Sequence, residues 1–152
     1  MQDVEKNPLQ FRLSIRDKQF NKPTSGQCPG YIQANVAILP QAIASDFAEF
    51  CKLNTAPCPV VEQLSEGSPY PQSCVDDNND SNASTADIRS DVPKYRIYRY
   101  GELVEEVHDV KQYWRDDMVT FLLGCSFSFE RALQQYGVPV RNIEQGKNVS
   151  MY

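Results

Sequence analysis

A polar, acidic stretch in the middle of the chain constrains the fold more than any other feature of the sequence. Residues 62–91 carry seven acidic side chains and one basic side chain, and residues 76–86 contain almost no apolar ones. A segment of this composition buries too little apolar surface to offset the entropy lost when it becomes ordered. Because loop length costs little in stability, we expect a mobile surface insert at about residues 65–90 within one domain.

The rest of the chain is nearly neutral, although the formal net charge of all 152 residues is −5. It has no cluster of Lys and Arg to recognise phosphates, so nucleic acid and anionic membranes are excluded as primary partners. No window approaches the ~18 uninterrupted apolar residues of a membrane span. Residues 1–20 lack the apolar block of a secretory signal, and the odd set of five cysteines favours reduced thiols in an intracellular compartment.

Alternation of apolar and polar side chains predicts the strands. They are expected at residues 31–39, at residues 60–61, and in a hairpin over residues 94–106 that turns at Gly101. Residues 7–20 fit either a strand or a helix that begins at Asn7 and Pro8, and the pattern alone does not decide between them.

Apolar stripes at helical spacing predict three helices, at residues 41–53, 110–123 and 129–136. Ser128 is the expected N-cap of the last helix, and Gly137 lies just past its end. The second and third helices are separated by Gly124-Cys125-Ser126, which interrupts the apolar stripe.

The lone histidine and most of the cysteines offer little chemistry. His108 lies in a charged stretch, where a solvated surface position is expected, so a histidine-based triad is not favoured. Cys51 falls on the apolar stripe of a predicted helix and is expected in the core. No two cysteines have the spacing of a zinc knuckle, and we expect no metal site.

The acidic insert partly copies a calcium-binding loop. Oxygen-bearing side chains occupy alternate positions at Asp76, Asn78, Asp80 and Asn82. The sixth position is Ser81 rather than Gly, and no amphipathic helices flank the segment. A disordered insert is therefore the favoured interpretation.

Cys125 is a stronger candidate, because it lies where one predicted helix ends and the next begins. A helix N-terminus favours an anion or a developing oxyanion, and it lowers the pKa of a nearby thiol. Packing of a buried thiol is the alternative.

Two further polar regions suit a small polar substrate. Tyr31, Gln33 and Asn35 lie on or beside the first predicted strand, which is otherwise explained as an edge or water-facing strand. Residues 141–152 are dense in carboxylate, amide, cationic and hydroxyl groups, and a solvated tail is the alternative there.

Several motifs, in order and spread over nearly the whole chain outside the insert, resemble the family of D-glutamate cyclases and bacterial hydro-lyases. They are Thr24-Ser25-Gly26, Pro29-Gly30-Tyr31-Ile32-Gln33-Ala34-Asn35, Phe50-Cys51 with Asn54, Pro57-Cys58-Pro59, Asp91-Val92-Pro93-Lys94-Tyr95-Arg96, Trp114-Arg115-Asp116-Asp117, Phe121-Leu122-Leu123-Gly124-Cys125-Ser126-Phe127-Ser128-Phe129-Glu130 and Asn142-Ile143-Glu144-Gln145-Gly146-Lys147-Asn148-Val149-Ser150-Met151-Tyr152. Such an ordered series is far more specific than any one of its members.

The resemblance implies an α/β protein, with a mixed sheet and flanking helices, as part of a larger two-lobed fold. Family members continue beyond the motif that ends at Tyr152, so residues 1–152 are expected to be the N-terminal portion of such a protein. The implied reaction turns D-glutamate into 5-oxo-D-proline and water, without a metal or organic cofactor. The implied location is the mitochondrial matrix in a eukaryote and the cytoplasm in a bacterium, and assembly into a homo-oligomer is left open.

This reaction needs a base, an acid and hydrogen-bond donors to an oxyanion. Because the attack is intramolecular, holding the substrate in a bent conformation already removes much of the entropic barrier. Glu144 is the expected acid and base. Backbone N–H groups and side chains around Cys125, Ser126 and Ser128 are expected to hold the oxyanion. These four residues form the predicted catalytic set.

Binding a small amino-acid substrate needs a cation for its spectator carboxylate and polar groups for its amine. Arg96 or Lys147 is expected to pair with the carboxylate. The residues expected to line the remainder of the substrate are Tyr31, Gln33, Asn35 and Asn148. Two other functions stay open, namely a catalytically silent paralogue that binds an amino acid or a partner chain, and a calcium-responsive interaction module.

Overall fold

The computed structural model describes residues 7–74 and 86–147. In chain order the elements are α1 (Pro8–Arg16), β1 (Ala34–Pro40), α2 (Gln41–Leu53), β2 (Val60–Gln63), β3 (Tyr95–Arg99), β4 (Glu102–Val107), a 3₁₀ turn (Lys111–Tyr113), β5 (Met118–Gly124), α3 (Phe127–Gln135) and α4 (Arg141–Glu144). This confirms the predicted α/β class with flanking helices. Within the described ranges, no helix is both long and apolar enough to cross a bilayer.

Strand β5 is the centre of a three-stranded sheet in the order β1-β5-β2, and β3 and β4 form a separate two-stranded sheet. Both neighbours of β5 run antiparallel to it. The register with β1 runs from Ala34 opposite Gly124 to Pro40 opposite Met118. A bulge before Glu62 interrupts the pairing with β2.

The two faces of β5 are covered by different parts of the chain. On one face Val119 and Phe121 pack against Ala44 of α2, and the Phe47 ring meets the Phe121 ring edge-on at 5.0 Å. Edge-to-face packing of this kind adds to the free energy gained from burial alone. The second face has its own core, which joins Leu122 of β5 to Leu64, Ile88, Val36 and Trp114.

The predicted helix at residues 110–123 is wrong, because this segment forms the 3₁₀ turn and most of β5. A strand buried on both faces is apolar at nearly every position, and such a run also fits a broad helical stripe. Thr120 and Phe121 are both completely buried. Burial by α2 on one side and by distant loops on the other therefore produced the misleading pattern.

Most of the other predicted elements are confirmed with small shifts. Residues 8–16 form a helix rather than a strand, and the Asn7 side chain accepts the backbone N–H of Leu9 at 2.9 Å. Strand β1 begins at Ala34, three residues later than predicted. Residues 31–33 belong to the loop before it. Helix α3 begins at Phe127, so Ser126 rather than Ser128 occupies its N-cap position.

Buried side chains occur at both ends of the segment predicted as an insert, residues 65–90. Pro69, Pro71, Ala86 and Ile88 are buried, and the backbone N–H of Ile88 donates to Pro69 O at 2.9 Å. Polar composition concealed these few apolar side chains, of which Ile88 packs against Leu122 of β5. Residues 75–85, including the calcium-like run from Asp76 to Asn82, lie outside the described residues.

Ion pairs join α1 to Asp91, which lies shortly before β3. The carboxylate of Asp91 is 5% exposed, and it lies 2.5 Å from Arg16 Nε and 3.4 Å from Arg12 Nε. It also accepts the backbone N–H of Asp87 at 2.9 Å. Asp91 thus has two cationic partners and a backbone donor, which is how a buried carboxylate is normally accommodated.

Gly67 lies where two main-chain segments pack closely together beside the second core. Its φ is +73°, and a Cβ at this position would lie 2.9 Å from Asp116 O. Its own carbonyl accepts the indole N–H of Trp114 at 3.1 Å, and its N–H donates to Met118 O at 2.8 Å. A side chain here would therefore strain the left-handed backbone and push against another main-chain segment.

We predict that Gly67→Ala lowers the free energy of unfolding by about 3 kcal/mol, the sum of left-handed strain and overpacking. Gly137→Ala is the matched control, because Gly137 has a φ of +74° and no atom within 4 Å of an added Cβ. That control should lose only about 1 kcal/mol. Urea denaturation of both variants measures the difference, and equal losses would contradict the contact with Asp116.

Candidate functional site

A cluster of polar groups forms where β5 passes into α3. The backbone N–H of Gln33 donates to Ser128 Oγ at 2.9 Å, across 95 residues of sequence. In return the carbonyl oxygen of Gln33 accepts the Ser128 hydroxyl at 3.3 Å and the Cys125 thiol at 3.4 Å. The loop before β1 is thereby fixed to the first turn of α3.

The side chain of Gln33 closes that loop. Its Oε1 accepts the backbone N–H of Gly26 at 3.3 Å, and Gly26 has a φ of +69°, which favours glycine. The sequence predicts that the Gln33 side chain contacts the substrate. The structure shows it bonded to its own loop.

Ser126 and Glu130 form the second part of the cluster. The hydroxyl of Ser126 donates to Glu130 Oε1 at 2.7 Å, and Glu130 is only 8% exposed. Residues four apart on a helix lie on the same face, which brings this pair together at the start of α3. Glu130 is not among the residues predicted from sequence, although its spacing from Ser126 at a helix start is a usable signal.

The thiol of Cys125 has a raised pKa rather than the lowered pKa expected from sequence. Burial is the main cause, and the negative charge of Glu130 adds to it. Backbone hydrogen bonds from Phe127 and Ser128 act in the opposite direction, but they are outweighed. The helix N-terminus is present as expected, and desolvation exceeds its effect.

The structure thus brings together three predicted catalytic residues, Cys125, Ser126 and Ser128, with one predicted binding residue, Gln33. Two more predicted binding residues flank this point on the chain. Tyr31 is partly exposed at the end of the loop, and Asn35 is exposed on β1 opposite Leu123.

The remaining predicted residues lie elsewhere or outside the described ranges. Arg96 is on the β3–β4 hairpin, where its Nε lies 3.0 Å from Glu106 Oε1. Glu144 is exposed on α4, and Lys147 is exposed beyond its end. Among hydrogen bonds and ion pairs between described residues, none joins these three to Gln33, Cys125, Ser126 or Ser128. Asn148 lies outside the described residues.

His108 is exposed, as its charged surroundings predict, and it lines a separate cavity of about 310 Å³. Its Nδ1 lies 2.9 Å from Pro93 O. The other lining residues are Asn21, Lys94, Glu106 and Val107. Lys94 and Glu106 form an ion pair at 3.1 Å, so the charges at this cavity neutralise each other.

The fold and the cluster together define an α/β chain whose polar site lies at the junction of a buried antiparallel strand and a short helix. The model of the D-glutamate cyclase family matches residues 119–152, which begin within β5 and include this junction.

Whole-chain comparison gives the same result. "Putative hydro-lyase YcsI" of Bacillus subtilis (strain 168) is 50% identical over 145 residues, which are 95% of this chain and 53% of the relative. A "Putative hydro-lyase" of Bordetella pertussis is 50% identical over 144 residues, which are 94% of this chain and 49% of the relative. A "Putative hydro-lyase" of Psychrobacter arcticus is 48% identical over 95% of this chain and 52% of the relative.

The chain is similar to the D-glutamate cyclase family over residues 119–152 and to bacterial proteins named putative hydro-lyases over nearly its whole length, so the resemblance predicted from its motifs is confirmed. It spans about half the length of the curated relatives it matches.

Because burial and Glu130 raise the pKa of Cys125, its thiol is protonated at neutral pH. We predict that iodoacetamide alkylates Cys125 more slowly at pH 7 than it alkylates a model cysteine peptide. The rate should keep rising through pH 9 as the thiolate forms. Peptide mapping by mass spectrometry measures it, and a plateau reached below pH 8 would contradict the raised pKa.

Proposed function

We propose that this chain provides part or all of a hydro-lyase site that converts D-glutamate into 5-oxo-D-proline and water. The observation that carries the proposal is the fastening of Gln33 to Ser128 and Cys125, which assembles two separate family-like motifs at one place. The match of the D-glutamate cyclase family to residues 119–152 supports the same assignment.

The proposed reaction is intramolecular. The α-ammonium group loses one proton and its nitrogen attacks the side-chain carboxyl carbon. The nitrogen then loses a second proton, so that a C–N bond is formed while a C–O bond breaks. The departing oxygen leaves as water after it gains protons. A protein that holds the substrate bent supplies much of the acceleration through orientation alone, and positioned acids and bases supply the proton transfers.

The proposed roles follow residue type. Glu144 is the proposed acid and base, because a carboxylate performs both proton transfers in turn. Arg96 or Lys147 is the proposed partner of the spectator carboxylate, and Tyr31, Asn35 and Asn148 are proposed to contact the remainder of the substrate. No cofactor is proposed, and a homo-oligomer is compatible with these roles.

A catalytically silent module is the second candidate, and one observation favours it. The chain spans about half the length of its relatives, so the groups needed for turnover need not all lie within it. Such a module would bind an amino acid or a partner chain without converting it.

The proposed location is intracellular. Bacterial relatives and the absence of disulfide bonds at Cys51, Cys58, Cys74 and Cys125 support a reducing compartment. The cytoplasm is proposed for a bacterial source and the mitochondrial matrix for a eukaryotic one.

We predict that the purified chain forms 5-oxoproline from D-glutamate faster than buffer does, and that Glu144→Gln lowers kcat by about 100-fold or more. The matched control is Glu49→Gln, an exposed carboxylate on α2, which should leave kcat unchanged. Mass spectrometry of the product measures both.

Two results would revise the proposal. Wild-type turnover in Glu144→Gln would remove Glu144 from the catalytic set. Binding of D-glutamate without 5-oxoproline formation would identify the chain as the silent module.

A further inference from the structure

Glu130 is a buried carboxylate whose partners are unusual. Its one described side-chain hydrogen bond comes from the Ser126 hydroxyl at 2.7 Å, and none of the ion pairs between described residues includes it. Asp91, which is buried to the same degree, has two arginines beside it. A buried carboxylate normally has a cation next to it, because desolvation of an unpaired charge is costly.

Ser126 has unused capacity to accept hydrogen bonds. It occupies the N-cap position of α3, yet its side chain makes no capping hydrogen bond to the helix amides. Its single hydroxyl proton points to Glu130, so the lone pairs of Ser126 Oγ remain open. The hydroxyl oxygen of an N-cap serine usually accepts a hydrogen bond from a backbone N–H group of the first turn.

The neighbouring side chains have their protons directed elsewhere. The Ser128 hydroxyl and the Cys125 thiol both donate to the carbonyl oxygen of Gln33. The side chains of this cluster therefore offer acceptors and one negative charge rather than donors. An oxyanion would be repelled by Glu130, whereas a group with several N–H donors and a positive charge fits.

We infer that Ser126 and Glu130 form a binding subsite for a primary ammonium group, the α-amine of an amino-acid substrate. This inference rests on the proposed function for its substrate class. An ammonium has three donors, which match Ser126 Oγ and the carboxylate oxygens of Glu130.

Calorimetric binding with two ligands that differ only in the amine tests the subsite. D-glutamate carries the ammonium, and glutarate is the same diacid without it. We expect the wild-type chain to bind D-glutamate about 10-fold or more tightly than glutarate, because a hydrogen bond to a charged group contributes about that factor.

Glu130→Gln should abolish this preference. It should weaken D-glutamate binding about 10-fold or more and leave glutarate binding within about twofold. Glutamine keeps an oxygen to accept the Ser126 hydroxyl, so the turn retains its structural hydrogen bond while the charge is lost. Glu102→Gln, an exposed carboxylate on β4, is the matched control and should bind both ligands like the wild type.

Ser126→Ala is the second variant, and it tests the same subsite if Glu130→Gln does not fold. It should reduce the preference for D-glutamate several-fold, and thermal unfolding verifies that it is native. Three results would overturn the subsite: equal weakening of both ligands in the variants, no preference in the wild type, or no wild-type binding of either ligand.

Turnover measured on the same samples separates this inference from the proposed function. Amine-dependent binding that Glu130→Gln removes, without 5-oxoproline formation, keeps the subsite and rejects the reaction. Formation of 5-oxoproline by a chain that binds D-glutamate and glutarate equally keeps the reaction and rejects the subsite.

Discussion

The burial of β5 on both faces is the constraint on which the rest of the structure depends. Helix α2 covers one face and the segments around Leu64 and Ile88 cover the other, while β1 and β2 satisfy its backbone on both edges. The strand therefore leaves the sheet at a fixed point. At that point Gly124 donates its N–H to Pro59 O at 2.8 Å, and a Cβ there would lie 3.2 Å from the Pro59 ring. Cys125 and Ser126 follow immediately, so the core sets the position of the site.

The two buried carboxylates, Asp91 and Glu130, have different partners. Asp91 joins α1 to the segment before β3 through two arginines, and its environment is that of a structural ion pair. Glu130 lies equally deep with a serine hydroxyl as its described side-chain partner. A buried carboxylate with a purely structural role is expected to have adjacent cations, as Asp91 does. The contrast is the physical reason to assign Glu130 to a ligand rather than to the core.

Local signals made part of the fold predictable from sequence, and tertiary burial concealed the remainder. Asn7 and Pro8 begin α1, and Ala44 and Phe47 place one side of α2 against the sheet, because caps and amphipathic periodicity are local signals. Ile43 and Phe50, on the predicted apolar stripe of α2, are nevertheless exposed. The doubly buried β5 and the few buried side chains of the predicted insert depend on partners far along the chain. At the site, residue type predicted Gln33, Cys125 and Ser128 as candidates, but nothing local shows that the Gln33 backbone holds the other two. The local signal for Glu130 is its spacing of four residues from Ser126 at a helix start, whereas its burial arises only in the folded chain.

Chemical-shift mapping tests most directly whether the β5–α3 junction binds an amino acid. Titration of the ¹⁵N-labelled chain with D-glutamate should move the backbone amide signals of Gln33, Ser126, Ser128 and Glu130 first and furthest. The signals of Lys94 and His108, at the separate cavity, should stay in place. Saturable shifts confined to that cavity, or no shifts at the junction at millimolar ligand, would contradict the account.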